Sequence, residues 1–245
     1  MNAIETRKLT KKYKTKTAVN GLDLTVPEGE LFALLGVNGA GKTTTMRMLT
    51  CLSQPTDGEC FVCGHSCQKE KAAVKEVVGI STQDTAVAEN LSVRENLEMM
   101  CGIFGFDKAK TAERTSEMIK MFSMDEVENS RAKTLSGGWK RKLSIAMALI
   151  SEPRVLFLDE PTLGLDVLAR RELWSVIERL KNKITIVLTT HYMEEAEHLA
   201  DRIGVMIGGN LIALGTLAEL EEKTGQTGLE NAFVALAEKK GGAAE

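Results

Sequence analysis

The stretch Gly36-Val-Asn-Gly-Ala-Gly41-Lys42-Thr43 has the spacing G-x-x-x-x-G-K-[ST]. Glycines free of Cβ let successive backbone N–H groups curl around an anion. A lysine placed directly after them neutralises phosphate oxygens, and the next hydroxyl is a hard oxygen ligand for Mg²⁺. The candidate phosphate-binding positions are Gly36, Asn38, Gly39, Ala40, Gly41, Lys42, Thr43 and Thr44. A second group is Val155-Leu-Phe-Leu-Asp159-Glu160, an apolar run that stops in two carboxylates. Asp159 is assigned to Mg²⁺ through water, beside Thr43, and Glu160 to orienting and polarising an attacking water. Each group alone has a plain structural reading, a glycine turn with an incidental lysine or a solvated strand end. The two in one chain favour phosphoryl chemistry.

Five short apolar runs, residues 31–35, 77–80, 155–158, 184–188 and 203–207, read as buried strands. Between them, Leu143, Ala146, Met147 and Ile150, and again Leu173, Val176, Ile177 and Leu180, follow the i, i+3, i+4, i+7 spacing of a helix face. Alternating strands and helices predict an α/β fold, a P-loop NTPase core of mixed or parallel sheet flanked by helices. In it the loop leaves a strand at residue 35 and opens a helix near Lys42, whose positive end faces the phosphates. Residues 3–26 and 58–63 read as short strands of an N-terminal antiparallel β subdomain. Residues 84–134 read as a wholly helical inserted subdomain, with Leu97, Met100, Cys101 and Phe104 on one face. The expected division is an ATPase domain over residues 1–220 and a short extension over 221–245, disordered from Lys239 onward.

The net charge is −3, which disfavours nucleic acid as a partner. No apolar run approaches the roughly 18–20 residues that a membrane helix needs. The first twelve residues are polar and charged, unlike a secretory signal. The expectation is a cytoplasmic chain, peripheral on the inner face of the cell membrane. Cys60, Cys63, Cys67 and His65 offer zinc-ligand types. The strand-like alternation of residues 59–63 sends Cys60 and Cys63 to opposite faces, however, and reads the cysteines as ordinary buried thiols.

Leu135-Ser136-Gly137-Gly138 stands before an amphipathic helix, between the phosphate loop and the acidic strand. In that order it resembles the signature of ABC-type ATPases, and the resemblance spans about residues 3–220. It implies ATP and Mg²⁺ as cofactors, with Glu160, His191, Lys42 and Gln83 as the catalytic set. By resemblance, Tyr13 stacks on adenine. Gln83 ligates Mg²⁺ with Thr43 and Asp159, and senses a partner protein. Asp166 of Leu165-Asp166 crosses a dimer interface, and His191 contacts the γ-phosphate. Ser136, Gly137 and Gly138 serve the nucleotide held by the other subunit, so the resemblance implies a homodimer, or a heterodimer with a paralogue, closed on ATP. Trp139 departs from the glutamine usual there, which removes an amide contact. Lys140-Arg141-Lys142 reads as a solvated helix face.

A motor with no membrane span implies a separate permease, docking near Gln83 and the helical insert. Met99, Met100, Met118, Met121 and Met124 fall in that insert, where core filling competes with an adaptable docking groove. The segment Gly228-Leu-Glu-Asn-Ala-Phe233-Val-Ala-Leu resembles the C-terminal element of drug-exporter ATPases that pair with ABC-2 type permeases, although Asn231 replaces the usual acid. The resemblance therefore favours export of a drug, lipid or polysaccharide. The alternatives are an importer ATPase and a soluble ATPase of iron–sulfur cluster assembly. A catalytically dead scaffold is disfavoured because Lys42, Asp159, Glu160 and His191 are all present.

Overall fold

In chain order the strands are β1 (Asn2–Tyr13), β2 (Lys16–Pro27), β3 (Leu31–Leu35), β4 (Asp57–Val62), β5 (His65–Ser66), β6 (Val78–Ser81), β7 (Val155–Asp159), β8 (Thr185–Thr190), β9 (Arg202–Ile207) and β10 (Asn210–Gly215). The helices are α1 (Lys42–Leu49), α2 (Lys71–Val77), α3 (Val93–Ile103), α4 (Lys108–Met121), α5 (Gly137–Leu149), α6 (Val167–Leu180), α7 (Met193–Leu199), α8 (Leu217–Thr224) and α9 (Leu229–Gly241). This is a computed structural model, and it describes residues 1–241.

The strands form two sheets. An antiparallel one has the order β2-β1-β4-β5, and a six-stranded one the order β10-β9-β3-β8-β7-β6. In the larger sheet β9, β3, β8, β7 and β6 are parallel, and β10 returns antiparallel on β9. Side chains alternate across a strand, so a strand buried on both faces must be apolar throughout. That is what β3 shows. Leu31, Ala33 and Leu35 join one core cluster with the helices α3 to α9, and Phe32 and Leu34 join another under the antiparallel sheet. β7 divides in the same way, with Leu156 and Leu158 on one side and Val155 and Phe157 on the other.

Strand limits differ from the sequence reading in informative ways. Val77 ends α2, and β6 begins at Val78. There Gly79 passes so close to α5 that a Cβ would lie 2.2 Å from Ala148 O. β8 continues past residue 188 through Thr189 and Thr190, both fully buried, since β-branched threonine suits a strand. The N-terminal strands are long rather than short, with β1 and β2 of 12 residues each, and bulges interrupt their pairing.

The insert is helical only in part. Residues 84–91 are loop, turn and bend, Ser92 bridges to Arg131, and α3 starts at a capping box formed by Ser92 and Glu95. The loop is held by the buried Asn96 amide, whose Oδ1 accepts from Ala88 N at 2.8 Å while Nδ2 donates to the Ala88 and Leu91 carbonyls. These bonds satisfy backbone groups that a helix would otherwise pair. Leu97 and Cys101 are buried as expected, whereas Phe104 is 41% exposed. Of the five methionines, Met118 and Met124 fill the core and Met99 is exposed.

Between residues 221 and 241 the chain is packed on the same core through Leu229, Phe233 and Leu236 of α9, which share the cluster of β3 and α5. Lys239 to Gly241 lie within α9, and the remainder of the segment read as disordered lies outside the described residues. No described helix is long and apolar enough to cross a membrane. All five cysteines are free. Cys60 is buried and Cys63 sits in a turn at φ 49°, and no cluster of three His, Cys, Asp or Glu residues among the described residues could hold a metal.

Candidate active site

The parallel sheet delivers its chemistry at the carboxyl ends of its strands, where open α/β sheets bind ligands. Register places these ends side by side: Leu35 opposite Thr190, Asp159 opposite Thr189, and Ser81 opposite Leu158. The residues that follow, Gly36, His191, Glu160 and Gln83, therefore converge.

The loop after β3 requires its glycines. A Cβ on Gly36 would lie 2.3 Å from Met206 O, and one on Gly41, at φ 111°, would lie 2.3 Å from Ala18 O. α1 then starts with no side-chain cap on its N-terminus, which leaves that positive end for an anion. Lys42 is 5% exposed. Its Nζ donates to Gly36 O at 2.7 Å and lies 3.1 Å from Glu160 Oε1.

Glu160 is held between Lys42 and His191. Its Oε2 is 2.6 Å from His191 Nδ1, opposite the Lys42 contact. The residue adopts φ 49°, a left-handed conformation that costs a non-glycine residue about 1–2 kcal/mol. Bonds from Glu160 N to Thr189 O at 3.1 Å and to Thr189 Oγ1 at 3.2 Å offset that strain. The same threonine hydroxyl donates to Asp159 Oδ1 at 2.5 Å, and Thr43 Oγ1 donates to that oxygen at 3.1 Å. Thr189 thus orients both acids at once.

These groups border a cavity of about 510 Å³ lined by Tyr13, Lys16, Ala18, residues 38–44, Gln83, Glu160, Leu163 and His191. The volume suits a nucleotide-sized ligand. A second cavity of about 200 Å³ adjoins it through Thr43 and Gln83 and is lined also by Asp159, Asp84 and Arg47. Tyr13, at the end of β1, is 46% exposed with Lys11 Nζ 5.1 Å from its ring centroid.

The structure brings Tyr13, Asn38, Gly39, Ala40, Gly41, Lys42, Thr43, Thr44, Gln83, Glu160 and His191 onto the larger cavity, and Asp159 onto the adjoining one. Gly36 lines neither, and its carbonyl instead takes the Lys42 ammonium. Ser136, Gly137, Gly138 and Asp166 also lie outside both cavities. Ser136 is the N-cap of α5, accepting from Trp139 N at 3.5 Å, and Asp166 is the N-cap of α6, accepting from Leu168 N and Ala169 N at 3.0 and 2.9 Å.

Three contributors escaped the sequence reading. Thr189 carries no signal beyond its place two residues before His191. Glu195 is fully buried on α7, where its Oε1 accepts from Trp174 Nε1 at 3.2 Å. The basic run after the signature is not a solvated face, since Arg141 and Lys142 are 5% and 7% exposed. Lys142 Nζ reaches Glu172 at 2.8 Å and lies 4.4 Å from the Trp139 ring centroid. Trp139 itself packs half-buried against the core.

Comparison with known proteins agrees with this geometry. The family model for ABC transporters matches residues 19–163. The daunorubicin/doxorubicin resistance ATP-binding protein DrrA of Streptomyces peucetius is 43% identical over 224 residues, covering 91% of this chain and 68% of that protein. The human phospholipid-transporting ATPase ABCA3 is 41% identical over 212 residues, covering 86% of this chain but only 12% of that much longer protein. Among solved structures, an ATP-binding subunit of an ABC transporter superposes with a TM-score of 0.86 at 27% identity, covering 96% of this chain and 99% of its own. A dimeric post-hydrolysis state of the ATP-binding cassette MJ0796, bound to ADP and Pi, gives a TM-score of 0.79 at 25% identity, covering 87% and 98%. With the phosphate loop, the acid pair and the histidine on one cavity, the chain belongs to the ABC transporter family, as an ATP-binding and ATP-hydrolysing subunit.

Proposed function

We propose that two copies of this chain close head to tail on two molecules of Mg-ATP, and that the cycle drives export of a drug or lipid through a separate permease. One observation carries the hydrolytic part: the Glu160 carboxylate, bonded to His191 and facing Lys42, stands at the wall of the cavity that the phosphate loop lines. In this reading a triphosphate gives Lys42 a new anionic partner and frees Glu160 to take a proton from water. His191 holds the carboxylate in place and reaches the terminal phosphate.

The donor set fits Mg²⁺. Thr43 Oγ1 and Asp159 Oδ1 lie 3.1 Å apart, Gln83 borders both cavities, and all three present hard oxygens. Thr43 and Gln83 would hold the ion directly and Asp159 through water, and the bound ion would neutralise charge on the phosphate oxygens. Stacking on the exposed Tyr13 ring would hold the base.

The exposed N-terminus of α5, capped by Ser136 and outside the lining of its own cavity, supports a composite site. A second copy would set that helix end, with Gly137 and Gly138, against the nucleotide of the first, and Asp166 beside the shared interface. MJ0796 was solved as a dimer. The permease would dock in a third cavity of about 310 Å³, between β6 and the helical insert, lined by Ile80, Met100, Phe104 and Met147. Leu52, Ile103 and Phe104 nearby are 57%, 68% and 41% exposed, more apolar surface than isolated solvent-facing residues require. Docking there would place the chain on the inner face of the membrane. The drug and phospholipid relatives favour export over import or iron–sulfur assembly.

Glu160→Gln tests the reading, because it keeps the shape and removes the base. Turnover should fall ~100-fold or more, about 2.7 kcal/mol, while ATP stays bound and size-exclusion chromatography with Mg-ATP shows a dimer. A variant that binds ATP yet elutes as a monomer, or that turns over normally, overturns it.

A further inference from the structure

The loop bearing Gln83 is exposed and belongs to no helix or strand. It follows β6, an edge strand paired only with β7, and that pairing ends at Ser81. Beyond it the carbonyls of Thr82 and Gln83 have no ladder partner, and backbone groups left in that condition need one from elsewhere. Both are taken by a single side chain. Arg141 donates from one terminal nitrogen to Thr82 O at 2.7 Å and from the other to Gln83 O at 2.6 Å. One turn further along α5, Ser144 Oγ lies 2.9 Å from Ser81 Oγ. Three successive residues of the β6 end are thus fastened to one helix.

Arg141 is 5% exposed, and its two terminal nitrogens go to carbonyls rather than to a carboxylate. Burial lowers its pKa, while the charges of Asp159, Asp84 and Glu195 pull the other way. A guanidinium buried without a carboxylate contact is costly unless its fork is met by acceptors. Here the acceptors are two adjacent carbonyls of the loop, spaced for a planar fork and not for an ammonium. The N-cap of the same helix is Ser136, about 7.5 Å away along the axis at ~1.5 Å per residue.

We infer that Arg141 is a positioning residue that locks the Gln83 loop to the signature helix, so that Gln83, at this subunit's own nucleotide, and Ser136, at the partner's, move as one rigid piece. This rests on the roles proposed above for Gln83 and Ser136. A permease pressing on the Gln83 loop would then shift the helix end that closes the opposite site. The fork also fixes the backbone of Gln83, which lines one cavity with Thr43 and Asp159.

The test is a double-mutant cycle on the purified ATPase, read as kcat and as the Mg²⁺ concentration at half-saturation. Arg141→Met should lower kcat about tenfold and raise the Mg²⁺ requirement, with the KM for ATP nearly unchanged. Arg141→Lys, which restores charge and one donor, should recover part of both. In a Gln83→Ala background Arg141→Met should cost little more, because the two act as one unit. If Arg141→Met fails to fold, Arg141→Gln carries the same cycle. Multiplying losses, or a fall in kcat with no change in the Mg²⁺ requirement, would overturn the inference while leaving the ATPase reading intact. Normal kinetics for Gln83→Ala alone would instead overturn the role of Gln83, and this inference with it.

Discussion

Thr189→Val removes one hydroxyl at a position that is fully buried and otherwise accepts valine without change of shape. Its hydroxyl donates to Asp159 Oδ1 at 2.5 Å and accepts from Glu160 N at 3.2 Å. The second loss is small, since Glu160 N keeps Thr189 O at 3.1 Å. The first is a hydrogen bond to a carboxylate that is itself only 4% exposed, a type worth about 1.5–3 kcal/mol. Thr43 Oγ1 at 3.1 Å remains as a donor to the same oxygen, so the lower half of that range is expected, about 2 kcal/mol. For a chain of this size each kcal/mol lowers Tm by roughly 2–4 °C, which predicts a fall of about 4–8 °C by calorimetry. The functional consequence follows separately. A loosened Asp159 should raise the Mg²⁺ concentration at half-maximal turnover by about tenfold, equivalent to ~1.4 kcal/mol. Thr185→Val is the control, because the buried Thr185 hydroxyl, at the opposite end of β8, accepts from the neutral Gly29 N at 2.9 Å and should cost about 1 kcal/mol with no shift in Mg²⁺ dependence. A Thr189→Val protein that melts within about 1 °C of the parent and has the same Mg²⁺ profile would refute the idea that this threonine orients the acid.

Tyr13→Ala should raise the KM for ATP about five- to thirtyfold, as base–aromatic stacking of about 1–2 kcal/mol implies, with kcat unchanged, and Tyr13→Trp should restore it; equal loss for both variants would dismiss the stacking role. Burial pushes the Glu195 carboxyl above the ordinary carboxylate range, against the pull of the Thr190, Thr162 and Trp174 donors. The folded state therefore holds its proton to higher pH than the unfolded chain does, so this residue's contribution to stability falls as pH rises from the unfolded carboxylate pKa through the raised folded one. Glu195→Gln should flatten that fall in denaturant titrations run across the window, and an identical slope in parent and variant would show that Glu195 titrates normally.

The parts of this site that could be read from the chain are those whose chemistry is contiguous. The phosphate loop needs glycine at 36 and 41 for reasons of local approach, and lysine and threonine directly after, so eight successive residues carry the whole signal. Asp159 and Glu160 close an apolar strand, and an apolar strand is itself legible because both of its faces are covered. What brings these pieces together, the register that sets Leu35 beside Thr190 and Asp159 beside Thr189, could be inferred only from resemblance. Arg141, Lys142 and Glu195 were hidden for a different reason. Periodicity reports a helix with one wet face, and charge is assigned to that face by default. On α5 every residue from Arg141 to Leu149 is buried, so there is no wet face there to receive the basic run. Its charges are met inside, by the Thr82 and Gln83 carbonyls and by Glu172. Had the run been a solvated stripe, the residues around it would have alternated with polar ones through two turns. Instead Leu143, Ile145, Ala146, Met147, Ala148 and Leu149 follow with only Ser144 among them, and Ser144 pairs with Ser81. A charged pair opening a helix that then has no polar side is evidence that the charges hold something, and here what Arg141 holds is the loop that carries Gln83.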